Sequence, residues 1–171
     1  LFRSDDQILS YQEDFPWFAL NRPRTKEIFE SSCKIICPYR SSKNYFAFSS
    51  NPVYGSRDVL YIRPQDSRVD IKYLLALLNS KLYYFWLFYR GKRKGNILEL
   101  VQKPLSEIPV KIINYDEQSK IINLVEQLLI MDYEDLEKKE KLIEEINSYI
   151  YKIYSITEKE IEIIEKLYDS A

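Results

Sequence analysis

The sequence predicts an α+β fold: a small, mostly antiparallel sheet with a buried helix, followed by a C-terminal helical segment arranged as a hairpin or bundle. Three features predict it. Short β-branched and aromatic runs, KIICPYR, KNYFAFSS and DVLYIRP, lie between residues 33 and 64, separated by SSKN and NPVYGSR, which are turn compositions. A run that is apolar on nearly all sides, IKYLLALLNSKLYYFWLFY, follows at residues 71–89. The last third then spaces its apolar residues by three and four, with acids and lysines between them.

Taken in order, residues 1–30 read as irregular, with Pro and aromatics mixed in DFPWFALNRPR and a short helix at TKEIFE. The three strand runs come next. Asp70 is placed to N-cap one helix that runs to Tyr89, where Gly91 stops it. Beyond the GKRKG loop, NILELVQ continues as a strand, and Pro104 and Pro109 forbid a long regular element in QKPLSEIPVKI. In SKIINLVEQLLI, positions 121, 122, 124, 125, 128 and 129 have helical spacing. From Glu134 to Tyr154 the set Leu136, Leu142, Ile143, Ile146, Tyr149, Ile150 and Ile153 makes a second helix, and Thr157-x-x-Glu160 is a capping box for a last one. There is no internal repeat. The expected division is an α/β part over residues 1–113 and an acidic helical part over 114–171.

A length of 171 residues fits one domain, or one domain with a helical appendage. With 46% hydrophobic and 30% charged residues the chain is too apolar to be disordered. The run at 71–89 has the length of a membrane span, but Asn79-Ser80-Lys81 falls at its centre. A lysine there would cost roughly 2.5–3.5 kcal/mol, so a buried helix and no membrane role are expected. Two cysteines, Cys33 and Cys37, and no histidine leave neither a disulfide framework nor a zinc site, and free thiols in a reducing cytoplasm are the simpler account. Residue 1 is Leu and no charged-then-apolar leader precedes the fold, so no signal peptide is expected and the chain reads as a piece of a longer polypeptide.

The formal net charge of −1 conceals two opposed regions. Residues 34–103 hold thirteen Lys and Arg against four Asp and Glu, a surplus of nine positive charges. Residues 111–171 hold eight lysines against fifteen acids, a surplus of seven negative charges. A region that basic attracts polyanions. Its densest part is residues 90–95, where Arg90, Lys92, Arg93 and Lys94 stand beside Gly91 and Gly95, two of the three glycines in the chain. Glycines let backbone amides approach a phosphate, and the cations displace condensed counterions, so Arg90, Lys92, Arg93 and Lys94, with Lys103, are candidate phosphate contacts. A solvated loop that only keeps the protein soluble is the competing account.

Arg40, Ser41, Lys43 and Asn44, in an expected turn between strands, and Arg57 in the next turn are residue types that hydrogen-bond base edges. An ordinary polar hairpin turn explains the same composition. NPVY at 51–54 resembles the (N/D)PPY tetrapeptide of amino-methyltransferases, but Val53 replaces the second Pro and no glycine-rich turn accompanies it to hold S-adenosylmethionine, so a turn is the reading adopted. Glu137-Lys138-Lys139 fits half of a nuclease motif without the Pro-Asp that completes a metal site. No catalytic constellation and no metal site emerge, and the chain is not expected to be an enzyme by itself.

PWFALNRPR (16–24), KIICPYRSSKNYFAFS (34–49), RDVLYIRP (57–64), YLLALLNSKLYYFW (73–86) and GKRKGNILELVQKPLSEIPV (91–110) resemble, in that order, the C-terminal specificity domain of TaqI-like adenine methyltransferases and of the fused type IIG restriction–modification enzymes. LLALLNSKL and KPLSEIPV are the most specific parts, and the similarity runs over residues 16–131. The resemblance implies a bacterial target-recognition domain that clamps double-stranded DNA. A separate methyltransferase domain would flip and methylate an adenine with S-adenosylmethionine, and a restriction endonuclease could be fused to it. This piece would then bind no cofactor. Base-reading positions in that family vary with the target, so none is carried over. Half of a type I specificity subunit, or a protein-interaction module whose basic region is incidental, are the rival readings.

Overall fold

The computed structural model describes residues 26–171 other than Arg57 and Tyr133, so DFPWFALNRPR and the candidate Arg57 lie outside the described residues. In chain order the elements are α1 (Lys26–Glu30), β1 (Lys34–Pro38), β2 (Arg40–Ser41), β3 (Ala47–Ser49), β4 (Val59–Ile62), α2 (Ile71–Asn79), α3 (Lys81–Arg90), β5 (Lys92–Lys94), β6 (Ile97–Glu99), α4 (Gln102–Ser106), α5 (Tyr115–Ile130), α6 (Leu136–Tyr154) and α7 (Glu158–Asp169). The α+β class is as the sequence predicts, but the described residues form two small antiparallel sheets where one was expected.

The first sheet has the order β3-β1-β4, with Ile36 opposite Ala47 on one side and Tyr61 on the other. Ile35 and Cys37, two residues apart, turn inward, as strand alternation requires. Burial pushes the Cys37 thiol up to about 12, so it stays protonated, while Cys33 is exposed. Lys34 breaks the pattern, being fully buried at the start of β1. Its ammonium group donates to the carbonyls of Phe29 (2.9 Å), Ser31 (2.9 Å) and Asn51 (2.7 Å), which ties α1 and the NPVY segment to the strand. NPVY itself has no regular structure, and Tyr54 packs on Phe29 and donates to Glu30, in keeping with a turn.

Tyr39 alone separates β1 from β2, so the chain passes directly from the first sheet into the second, whose order is β2-β6-β5. Residues 40–44 are therefore not the simple turn the sequence suggested. The Tyr39 carbonyl accepts from Leu100 N at 2.8 Å, and Arg40 and Ser41 pair with Glu99 and Leu98. Pairing with a strand nearly sixty residues away overrides the local turn composition.

The single helix expected from Asp70 to Tyr89 is two helices. Asp70 does cap α2, accepting from Lys72 N at 2.7 Å, but Ser80 is extended (ψ 154°) and serves as the C-cap of α2 and the N-cap of α3. Its hydroxyl donates to Leu77 O (2.7 Å) and accepts from Tyr83 N (3.2 Å). Two buried asparagines meet further groups freed by the break, and a third ties the end of α2 to the loop before β3. Asn44 donates to Leu78 O and Ser80 O, Asn147 of α6 accepts from Lys81 N, and Asn79 pairs its amide with both backbone groups of Phe46. Ser80, Asn44 and Asn147 are almost completely buried, so these bonds have no water to replace them.

The break points α2 at α5 and the first sheet, and α3 at α6, α7 and β5. The shared core contains Ile35, Tyr73, Leu77, Tyr84, Leu87, Leu98, Leu100, Ile121 and Ile150, all nearly inaccessible to solvent. Tyr83 and Tyr84 are core residues, and Trp86 packs half-buried against the core. Pro104 lies in the first turn of α4, where its missing N–H costs nothing. The Glu160 carboxylate accepts from Thr157 N, completing the predicted capping box of α7. Among the described residues no helix is long and apolar enough to cross a membrane.

Replacing Ser80 with Ala removes an N-cap acceptor and a buried donor together. Unfolding in urea should show a loss of about 1–2 kcal/mol with the slope against denaturant unchanged.

Candidate nucleic-acid interface

Helix α3 ends at Arg90, and Gly91 N donates to Leu87 O at 2.9 Å. A Cβ at Gly91 would stand 2.4 Å from that same oxygen, so glycine is required for the chain to leave the helix this closely. Strand β5 then turns back through Gly95 and Asn96 into β6. Gly95 has φ +63°, a left-handed conformation that glycine adopts without strain and that a tight hairpin turn needs. The register sets Lys92 opposite Glu99, Arg93 opposite Leu98 and Lys94 opposite Ile97.

Strand alternation sorts the cations. Lys92 and Lys94 share a face with Ile97, Glu99 and, across β6, Arg40; Arg93 shares the other with Leu98 and Ser41. Lys92, Arg93 and Lys94 are all exposed, whereas Leu98 is buried. Arg93 lies on the ring of Phe88, with its guanidinium carbon 3.7 Å from the ring centre. This seat fixes a side chain that would otherwise be mobile and leaves its charge in place. Arg90 and Lys94 are exposed and make no ion pair among the described residues.

Glu99, which is not among the residues singled out by sequence, organises this face. Its side chain is only 5% exposed, while Arg40 and Lys92 are 54% and 62% exposed. Arg40 Nε and Nη2 donate to Oε1 at 3.1 and 2.8 Å, and Lys92 Nζ is 2.9 Å from Oε2. Lys92 and then Arg40 hold the Glu99 carboxyl below its ordinary range, and both cations are held above theirs by it. A sequence signal exists for it: Glu99 is the one acid between Asp70 and Glu107, on a strand beside four cations.

The other candidates fall in different places. Ser41 is half-buried on β2 beside Arg40. Lys43 lies over the ring of Tyr168 in α7, 4.0 Å from its centre. Asn44 is 2% exposed, with its amide group committed to the α2–α3 junction. Lys103 is at the surface, 3.9 Å from Glu107, the residue that follows α4. The two opposed charge regions are also less separate than the sequence implied. Lys72 pairs with Glu126 and Lys81 with Glu165, so two cations of the basic region are neutralised by the acidic helices. No such pair reaches the hairpin among the described residues.

The description of a TaqI-like C-terminal specificity domain matches residues 10–110, well over half of the chain. The chain belongs to this family. Among curated proteins, this specificity domain is 31% identical over 157 residues to the type II methyltransferases M.HincII and M.HindII of Haemophilus influenzae. Those alignments take in 84% of this chain and 30% and 29% of the relatives' lengths. The type II methyltransferase M.MjaIV of Methanocaldococcus jannaschii is 26% identical over 156 residues, covering 86% of this chain and 52% of its own length. The specificity domain thus spans about a third of the Haemophilus relatives it matches. Both glycines of the hairpin, all four of its cations, Glu99 and Arg40 fall inside the family match.

A carboxyl held below its ordinary value of 4.5 adds stability that is fully present above that value and disappears as pH falls through the lower, folded value. Carbon-detected NMR of the Glu99 carboxyl should therefore show a midpoint below 4.5, and Glu99→Gln should remove the matching acid-side loss of stability.

Proposed function

We propose that this chain is the double-stranded DNA recognition part of a restriction–modification methyltransferase that modifies adenine. The observation that carries the reading is the exposed β5–β6 hairpin, where Arg90 and Lys94 make no ion pair among the described residues and Arg93 is braced on Phe88. Backbone phosphates complement such a surface, and counterion release drives the association. Arg90, Arg93 and Lys94 are assigned to phosphates, with Lys103 at the margin. Arg40 and Lys92 are held rigidly by Glu99, which suits groups that must meet a partner in fixed geometry.

Type II methyltransferase relatives support a parent protein that uses S-adenosylmethionine, which a catalytic domain outside this chain would bind. That domain and duplex DNA are the proposed partners. In this reading residues 1–113 are the DNA-facing part, and the acidic helices of 114–171 support it by packing on α2 and α3.

Binding measured against salt tests the hairpin. In the double variant Arg90→Gln/Lys94→Gln, affinity should fall alike for every duplex, and the slope of log K against log salt should flatten by about 0.9 for each phosphate no longer neutralised. An unchanged affinity and slope would refute the phosphate role.

A further inference from the structure

We infer that Glu99 is a positioning residue for specificity: it presents Arg40 and Lys92 as a rigid pair of hydrogen-bond donors that reads the acceptor edge of a guanine. The inference rests on the proposed DNA-binding role and says which base the site selects and through which residues.

The geometry on β2, β6 and β5 leads to this. Glu99 occupies the central strand, with Arg40 directly opposite on one side and Lys92 directly opposite on the other. Its two oxygens are divided between them, Oε1 to the arginine and Oε2 to the lysine. At 5% exposure the carboxylate cannot itself reach a ligand, so its influence passes through its two partners. Arg40 gives one edge of its guanidinium, Nε–H and one Nη2–H, to Oε1. Three of its five N–H groups are not given to Glu99, including the pair on Nη1 and Nη2 that forms the end-on fork. The Tyr39 ring beneath the guanidinium, 5.2 Å from its carbon, further limits its rotation. Lys92 retains two of its three N–H groups.

What projects from this face is therefore a set of donors with no accessible acceptor among these three side chains. Guanine presents two acceptors, O6 and N7, in the major groove, and cytosine offers a donor there; adenine and thymine offer one acceptor each. Donors alone match guanine. A mobile surface arginine would serve a phosphate equally well, but one braced on two sides loses less freedom on meeting a directional partner. Lys92 thereby separates from Arg90 and Lys94, with which its position in the sequence groups it.

The test uses the protein with its natural sequence first. Duplexes bound from a random pool define the preferred site. Each guanine in that site is then replaced by 7-deazaguanine, which lacks the N7 acceptor. One guanine should be sensitive, with binding weakened about five- to 150-fold, the range for one bidentate base contact. Arg40→Lys and Glu99→Gln, each checked for a native circular dichroism spectrum, should bind that site more weakly by a similar factor. Each should lose less on 7-deazaguanine DNA than the parent does, and both should keep the parent's salt slope on unrelated duplexes.

If no sequence is enriched from the pool, the DNA-recognition reading itself falls. If a site is enriched but none of its guanines is sensitive, the guanine assignment is overturned. If a guanine is sensitive and the folded Glu99→Gln protein discriminates it as the parent does, Glu99 is not a positioning residue. Should Glu99→Gln fail to fold, Arg40→Lys on the modified DNA decides: a full additional loss there would place the contact elsewhere.

Discussion

The architecture depends on the interruption of one apolar run at Ser80. A continuous helix over residues 71–90 would carry its aromatic second half away from the sheet that its leucine-rich first half covers. The extended backbone at Ser80 lets both halves return to the same core. Such a break frees backbone donors and acceptors in a place that water does not reach, and each would be costly if left alone. Asn44, Ser80 and Asn147 meet them, from the loop before β3, the junction itself and α6, while Asn79 at the end of α2 bonds both backbone groups of Phe46. The junction thus binds sheet, central helices and C-terminal helices through hydrogen bonds as well as through apolar packing. It also fixes where α3 begins, and Gly91 at the other end of that helix fixes where the cationic hairpin begins.

Electrostatics in this molecule is a matter of pairing more than of totals. A surplus of nine positive charges over residues 34–103 is a property of the chain, but the fold uses these charges in different ways. Lys34 is turned inward against three carbonyls. Lys72 and Lys81 are drawn to Glu126 and Glu165, and Arg68 to Asp66. What is left for a polyanion is concentrated on the second sheet and the helix end beside it. There the protein places its cations in three states: without an ion pair among the described residues at Arg90 and Lys94, stacked at Arg93, and shared through one buried carboxylate at Arg40 and Lys92. Screening affects the first group most and the last least, because a pair anchored on a buried carboxylate is less exposed to mobile ions.

Several elements are legible in the sequence because their causes are local. The strand runs, the two long amphipathic helices, Asp70 as a cap and the Thr157–Glu160 box all follow from side-chain periodicity and nearby hydrogen bonding. Gly91 and Gly95 mark the ends of the basic loop in sequence and in structure, for a backbone reason: one meets a carbonyl oxygen and the other has a positive φ. Base-reading chemistry at residues 40–44 is harder to judge from sequence. Arg40 and Asn44 look equivalent as polar members of one turn, yet Arg40 projects from a strand and Asn44 is enclosed beneath Ser80. Their fates differ because partners nearly sixty and about thirty-five residues away select them.

The sequence by itself determined the α+β class, the family to which the chain belongs, and the accumulation of positive charge around a glycine-flanked hairpin. The class and the charge depend on composition, spacing and short-range sterics, and the family on the resemblance of short motifs, all of which are present before the chain folds. Only the tertiary structure decided that the apolar run would break, that a second sheet would form, and that Glu99 would stand between Arg40 and Lys92. Each of those outcomes requires groups distant in the chain to satisfy one another's hydrogen bonds or charge inside a space closed to water, and no local pattern records which partner will arrive.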